Sequence, residues 1–190
     1  MKAYIFLADG FEEVEALTTA DLLIRAGIDT KLVKVPTGDE SGCKAVRGSH
    51  NIKVKPDLTL DKDITAEDLM DGDCVVLPGG MPGTKNLAAN SDVISTVKAY
   101  NDAGKVVAAI CAAPSVLGTN GLLNGKKATC FPGFEDKLQG ADFTATGAVA
   151  DGNIVTGRSM GSAVTFGLKV IEALLGKEAA DKTEASIYRG

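Results

Sequence analysis

The 190-residue sequence predicts an α/β fold, with a mainly parallel sheet covered by helices on both faces. Two observations carry this expectation. Short β-rich runs alternate with helical patterns of crossover length, which is how parallel strands are joined. Several of the runs are apolar at nearly every position, the pattern of strands buried on both faces rather than one. Hydrophobic residues make up 45% of the chain, with 22 glycines and no tryptophan, enough for a sizeable core in one domain spanning 1–190.

The elements follow in order. KAYIFLA (2–8) is a strand buried on both faces. EEVEALTTADLLIRAG (12–27) is a helix with apolar Val14, Leu17, Leu22 and Leu23, closed by Gly27. DTKLVKV (29–35) is the second strand, and CKAVR (43–47) and NIKVK (51–55) are shorter candidates flanking a Gly-Ser turn. Thr65 with Asp68 marks a helix start by the reciprocal capping pattern. DCVVLP (73–78) is another buried strand, followed by a glycine turn and helices over 84–89 and 92–103. VVAAI (106–110) leads straight into a small-residue helical stretch. KKATC (126–130), FTATG (143–147) and NIVTG (153–157) read as short strands or hairpin pieces, and 162–182 as a C-terminal helical segment.

Composition excludes several functions. A net charge of −5 without a Lys/Arg cluster argues against nucleic-acid binding. No apolar run approaches the ~20 residues of a membrane span. The opening MKAYIFLADGFEE turns acidic early and lacks a small-residue cleavage site, so it reads as a strand, and the expected compartment is the cytoplasm. Cys43, Cys74, Cys111 and Cys130 lack the spacing of a zinc ribbon or a dithiol motif; free thiols and no metal are expected.

In open parallel sheets, ligands sit beyond the C-terminal strand ends where connections diverge. That points to three turns: ADGFEEVE (8–15), LPGGMPGT (77–84) and ICAAPS (110–115). Cys111 sits at a strand–helix joint, where a sharp turn can force a side chain outward and helix amides favour a thiolate. A free cysteine is also a common core filler, and position alone leaves both readings open. Cys74, within CVVLP, reads as core. Glu12, Glu13 and Glu15 fall in the first helical turn, where acids match the helix dipole. That accounts for Glu12 and Glu13 as an exposed pair; for Glu15 two readings stay open, the same dipole match or a position facing the sheet end, where a dry carboxyl beside a thiolate would hold a raised pKa.

Gly79 and Gly80 can offer unobstructed amides to an oxyanion. GGMPG is neither a dinucleotide fingerprint nor a Walker loop, and the acidic turn nearby would repel phosphate. GRSMG (157–161) matches the G-x-S-x-G elbow, but no His follows Ser159, so Ser159 reads as the N-cap of the last helix. The sole histidine, His50, reads as a surface residue, with nothing in the sequence bringing it to Cys111.

ADGFEEVEALTTADLLIRAG, VVLPGGMPGTKNL, VVAAICAAPSVL and IVTGRSMGSAVTFGLKVIEALLGKE, in this order, resemble the ThiJ/PfpI superfamily, specifically its Parkinsonism-associated deglycase (DJ-one) branch. The resemblance implies a flavodoxin-like three-layer sandwich and a homodimer. By motif match it places the reactive cysteine on Cys111, its carboxyl partner on Glu15 and pocket amides on Gly79 and Gly80. Ala112 stands where the superfamily's peptidases carry a His, so peptidase activity is not expected. Phe131 stands where some members carry a His near the cysteine, and G-R-S-M-G replaces S-R-G-P-G, with Arg158 retained. The implied function is cofactor-independent conversion of 2-oxoaldehydes such as methylglyoxal to 2-hydroxy acids. In it Cys111 is the nucleophile, Glu15 the proton carrier, and the Gly80 and Ala112 amides an oxyanion site. The alternative is a non-catalytic oxidative-stress sensor or chaperone acting through oxidation of Cys111. The only other partner expected is the small aldehyde.

Overall fold

The computed structural model describes residues 1–38 and 45–188. The main sheet takes β1 (Lys2–Leu7), β2 (Asp29–Lys34), β5 (Leu58–Thr59), β6 (Cys74–Leu77), β7 (Val106–Ile110), β10 (Ala148–Asp151) and β11 (Ile154–Gly157). Two small ribbons lie outside it: β3 (Val46–Arg47) with β4 (Lys53–Val54), and β8 (Lys127–Ala128) with β9 (Asp142–Phe143). The helices are α1 (Glu13–Arg25), α2 (Gly83–Ala89), α3 (Ser91–Asp102), α4 (Pro114–Thr119), α5 (Ala163–Leu175) and α6 (Lys177–Ser186).

The order across the sheet is β10-β11-β7-β6-β1-β2-β5, parallel except for the antiparallel edge pair β10–β11. Ile5 of β1 stands opposite Leu32 of β2 on one side and Val76 of β6 on the other. The chain therefore steps one way from β1 to β2, then returns across β1 to lay down β6 and β7. The connections after β1 and β6 diverge at this reversal and leave a crevice beyond the strands' C-terminal ends.

Strand alternation sends residues to two cores. Tyr4, Phe6, Val75, Leu77, Val107 and Ala109 pack on one face with Val93 and Val97 of α3 and Leu117 of α4. Ala3, Ile5, Leu7, Val76, Ala108 and Ile110 pack on the other with Leu23 of α1 and Phe166 and Ile171 of α5. This is the expected α/β sandwich, helices on both faces of a mainly parallel sheet. Among the described residues no helix is long and apolar enough to cross a membrane.

Several expectations change. Val14 and Leu17, counted with the apolar face of α1, are 43% and 38% exposed, because α1 turns Ala16, Ala20 and Leu23 toward the sheet and α5 instead. FTATG is not a strand: β9 holds only Asp142–Phe143, and β10, unanticipated, pairs antiparallel with β11. NIVTG is both a strand and a hairpin piece, as read: β11 is buried throughout, pairs antiparallel with β10 across the turn 152–153 and lies parallel to β7. The C-terminal helical segment divides at Gly176, whose φ of +84° ends α5 and starts α6. Ser159 does not cap α5: it precedes the one-turn 3-10 helix Met160–Ser162, and its side chain makes no capping bond. The Thr65–Asp68 reciprocal cap does form, with the Asp68 N–H donating to Thr65 Oγ1 at 3.2 Å and the Thr65 N–H to Asp68 Oδ2 at 3.1 Å. It starts a 3-10 turn, Asp68–Asp71. Within CKAVR, β3 covers Val46–Arg47 of the described residues; Cys43 and Lys44 lie outside them.

Candidate active site

Cys111 occupies the joint between β7 and α4 with φ at +65°, in the left-handed region that side chains with a β-carbon disfavour. Such a conformation costs about 1–3 kcal/mol and persists only where its surroundings dictate it. Here the Cys111 N–H donates to the Gly157 carbonyl at the end of β11 at 2.9 Å. Its own carbonyl accepts the Phe131 N–H at 2.8 Å. Pro114, at the start of α4, sets its first turn without demanding a hydrogen bond. The side chain is half-buried, whereas Cys74 and Cys130 are fully buried.

Glu15, in the first turn of α1, is 1% exposed, so the sequence reading that it faces the sheet end agrees with its position. Its Oε2 accepts the Gly79 N–H at 2.8 Å, and its Oε1 is sealed from solvent without a hydrogen-bond partner. Burial pushes its pKa up to about 7. The Gly79 N–H and the Cys111 thiol pull it down, and the charge of Glu12 pushes it up.

Burial, and next the charge of Glu15, push the Cys111 thiol up to about 12, while the Ala112 and Gly80 amides favour the thiolate. The amides act in the direction read from the sequence, and burial with a carboxylate in the same crevice opposes them. Removing both protons would leave two negative charges in contact. Near neutrality the pair therefore retains one proton, on either the carboxyl or the sulfur.

The glycines make this approach possible. A β-carbon on Gly79 would stand 2.6 Å from Cys111 Cβ and 2.7 Å from Glu15 Oε2. One on Gly80, at φ +86°, would stand 2.4 Å from the Glu12 nitrogen. The five residues singled out in the sequence, Cys111, Glu15, Gly79, Gly80 and Ala112, thus meet at the crevice. Their amides differ in use: that of Gly79 is taken by Glu15, while those of Gly80 and Ala112 face the sulfur.

Other sequence candidates lie apart. His50 pairs through Nδ1 with Glu13 Oε2 at 2.9 Å. Glu12 and Glu13 are therefore no exposed pair: the Glu12 side chain is 15% exposed, and Glu13 is 3% exposed with its carboxylate also accepting the His50 backbone N–H at 2.8 Å. That contact spans 37 positions, so no spacing in the sequence announces it. Ser159 has an extended backbone at φ −169°, not the strained turn of a nucleophile elbow. Arg158 lays its guanidinium over the Phe143 ring, 5.8 Å from the centroid. Phe131 donates its backbone N–H to the Cys111 carbonyl and is 43% exposed.

A model of the DJ-1/PfpI family matches residues 1–173. Protein dj-1beta of Drosophila melanogaster is 38% identical over 178 residues, covering 93% of this chain and 90% of that protein. Among solved structures, Schizosaccharomyces pombe DJ-1 superposes with a TM-score of 0.90 at 26% identity, each chain covered completely. An oxidized Toxoplasma gondii DJ-1 superposes with a TM-score of 0.85 at 33% identity, over 98% of this chain and 97% of that one. With strand order, crevice and sequence all in agreement, the chain belongs to the DJ-1/PfpI family.

Proposed function

We propose that the protein is a cofactor-independent enzyme that converts 2-oxoaldehydes such as methylglyoxal to 2-hydroxy acids. The observation that carries this reading is the pairing of Cys111, held at φ +65°, with a buried carboxyl whose pKa lies near 7. In the tautomer with Glu15 protonated, the sulfur adds to the aldehyde carbon and the carbonyl oxygen takes up a proton, giving a hemithioacetal. The Gly80 and Ala112 amides face the oxygen as charge develops on it. Glu15, now ionised, removes the hydrogen on the former aldehyde carbon and returns a proton to the neighbouring carbon through an enediol. The product is a thioester of the 2-hydroxy acid, and attack by water releases the acid and regenerates the thiol. Oxidation at one carbon balances reduction at the next, so no redox cofactor is required. Glu15 serves every proton transfer without an imidazole relay, which favours a low turnover.

A second reading has its own support. Among the described cysteines, only Cys111 is not fully buried. As an oxidant sensor its thiol would consume two equivalents of peroxide to give a sulfinate and two of water, with the sulfinate accepting hydrogen bonds from Gly80, Ala112 and protonated Glu15. Methylglyoxal consumption by wild type, Cys111→Ala and Glu15→Gln separates the readings. Loss of turnover in both variants supports the enzyme. Wild-type rates in either variant overturn it, and peroxide-selective gain of two oxygens on Cys111 without aldehyde turnover establishes the sensor.

We also propose that the protein works as a homodimer. Val14, Leu17 and Ile24 form an apolar stripe on the outer face of α1, 43%, 38% and 59% exposed, which a second copy can cover.

A further inference from the structure

Beside the crevice, Glu12, Glu13 and His50 bring three ligand atoms within 4.8 Å of one another. The His50 Nδ1 lies 2.9 Å from Glu13 Oε2 and 3.6 Å from Glu12 Oε1. Ser49 Oγ lies 3.1 Å from that nitrogen and 3.3 Å from Oε2 of each glutamate. A tetrahedral zinc ion with ligands at about 2.0–2.1 Å has ligand–ligand edges of about 3.3–3.4 Å, and the two separations from Nδ1, 2.9 Å and 3.6 Å, lie on either side of that length.

The backbone N–H groups of His50 and Ile52 satisfy Glu13 Oε1, at 2.8 and 3.4 Å, and leave its Oε2 turned to the cluster. Three acceptors, two carboxylates and the imidazole nitrogen, converge on the single hydroxyl of Ser49. If Nδ1 carries the ring's proton, Glu13 takes it at 2.9 Å, and Glu12 is left to share the serine. Glu13 is 3% exposed and anchored by the His50 backbone N–H, so it cannot swing into water to relieve the crowding. The imidazole is 67% exposed and gives an ion a way in.

We propose that Glu12, Glu13 and His50 bind a divalent transition-metal ion of the zinc type, with Ser49 Oγ or water at the fourth position. One imidazole with two carboxylates suits zinc, whereas magnesium and calcium prefer oxygen alone. Binding exchanges the Nδ1 proton for the ion, and the neutral ring keeps its remaining proton on Nε2. The ion ties the start of α1 to the turn before β4. This site uses neither Cys111 nor Glu15 and is independent of the aldehyde chemistry.

The test uses full-length protein carrying Cys111→Ser, which removes the thiol that is not fully buried among the described residues, and Cys43→Ser, which removes the one outside them. Calorimetric titration with zinc chloride is expected to show one ion per chain, with affinity falling more than about tenfold in the added His50→Ala and Glu12→Gln variants, as loss of a ligand demands. Zinc is expected to raise the melting temperature only where His50 is present. Cobalt(II) is expected to give visible d–d bands without a sulfur charge-transfer band. No zinc binding in this doubly substituted background, unchanged affinity in His50→Ala, or a sulfur charge-transfer band each overturns the proposal. His50 is exposed, so its variant is expected to fold.

Discussion

Replacing Glu15 by Gln tests the electrostatics of the crevice through stability rather than activity. Its folded pKa, about 7, lies above the ordinary 4.5 because the carboxyl is buried. The folded protein thus binds this proton more tightly than the unfolded chain does. The stabilisation is complete below pH 4.5 and is lost as pH rises through about 7. At about 1.36 kcal/mol per pKa unit, a rise from 4.5 to about 7 amounts to about 3 kcal/mol. Glutamine can accept the Gly79 N–H bond but cannot ionise. Urea unfolding of both proteins in a Cys111→Ala background, at a series of pH values from 4 to 8.5 with EDTA present, isolates this effect, because the coupled thiol is gone and the groups remote from Glu15 cancel in the difference. Relative to Glu15→Gln, the protein retaining Glu15 is expected to lose about 3 kcal/mol across the range, most of it between pH 5 and 7.5. A difference that stays constant within about 0.5 kcal/mol, the usual scatter between independent sites, would falsify the burial argument.

Two further predictions concern geometry. Gly79→Ala puts a methyl 2.6 Å from Cys111 Cβ, so alkylation of Cys111 by iodoacetamide is expected to slow at least tenfold, with a stability loss of about 1–3 kcal/mol from overpacking. An unchanged alkylation rate would show that the crevice is looser than its distances imply. Leu17→Lys on the exposed face of α1 is expected to convert a dimer to a monomer in sedimentation velocity, with monomer stability changed by about 0.5 kcal/mol or less. A dimer persisting in that variant places the interface elsewhere.

Where the strands and crevice lie was largely legible in the sequence. KAYIFLA, DCVVLP and VVAAI have nowhere to go but the middle of a sheet, and parallel connections carry the chain to turns that gather at one end. Cys111, Glu15, Gly79, Gly80 and Ala112 could be named because each stands at a fixed offset from such a strand or its helix. Residues joined only by folding were not legible. Glu13 looked like a dipole-matching surface acid and is buried on His50, 37 positions away. Val14 and Leu17 keep helical spacing with the buried face, yet the docking angle of α1 leaves them outside. β10 has too little apolar alternation to announce itself and forms because β11 offers it an edge.

The opposing pulls on the Cys111 thiol belong to this second group. Local sequence determines the helix amides that favour the thiolate. Burial and the approach of Glu15 exist only once β1, β6 and β7 lie side by side, and they pull against the amides. The sequence by itself thus determined which residues reach the crevice, through periodicity and strand-end placement. Only the tertiary structure decided their protonation and which helix face stays bare, because desolvation, charge proximity and packing angle depend on neighbours distant along the chain.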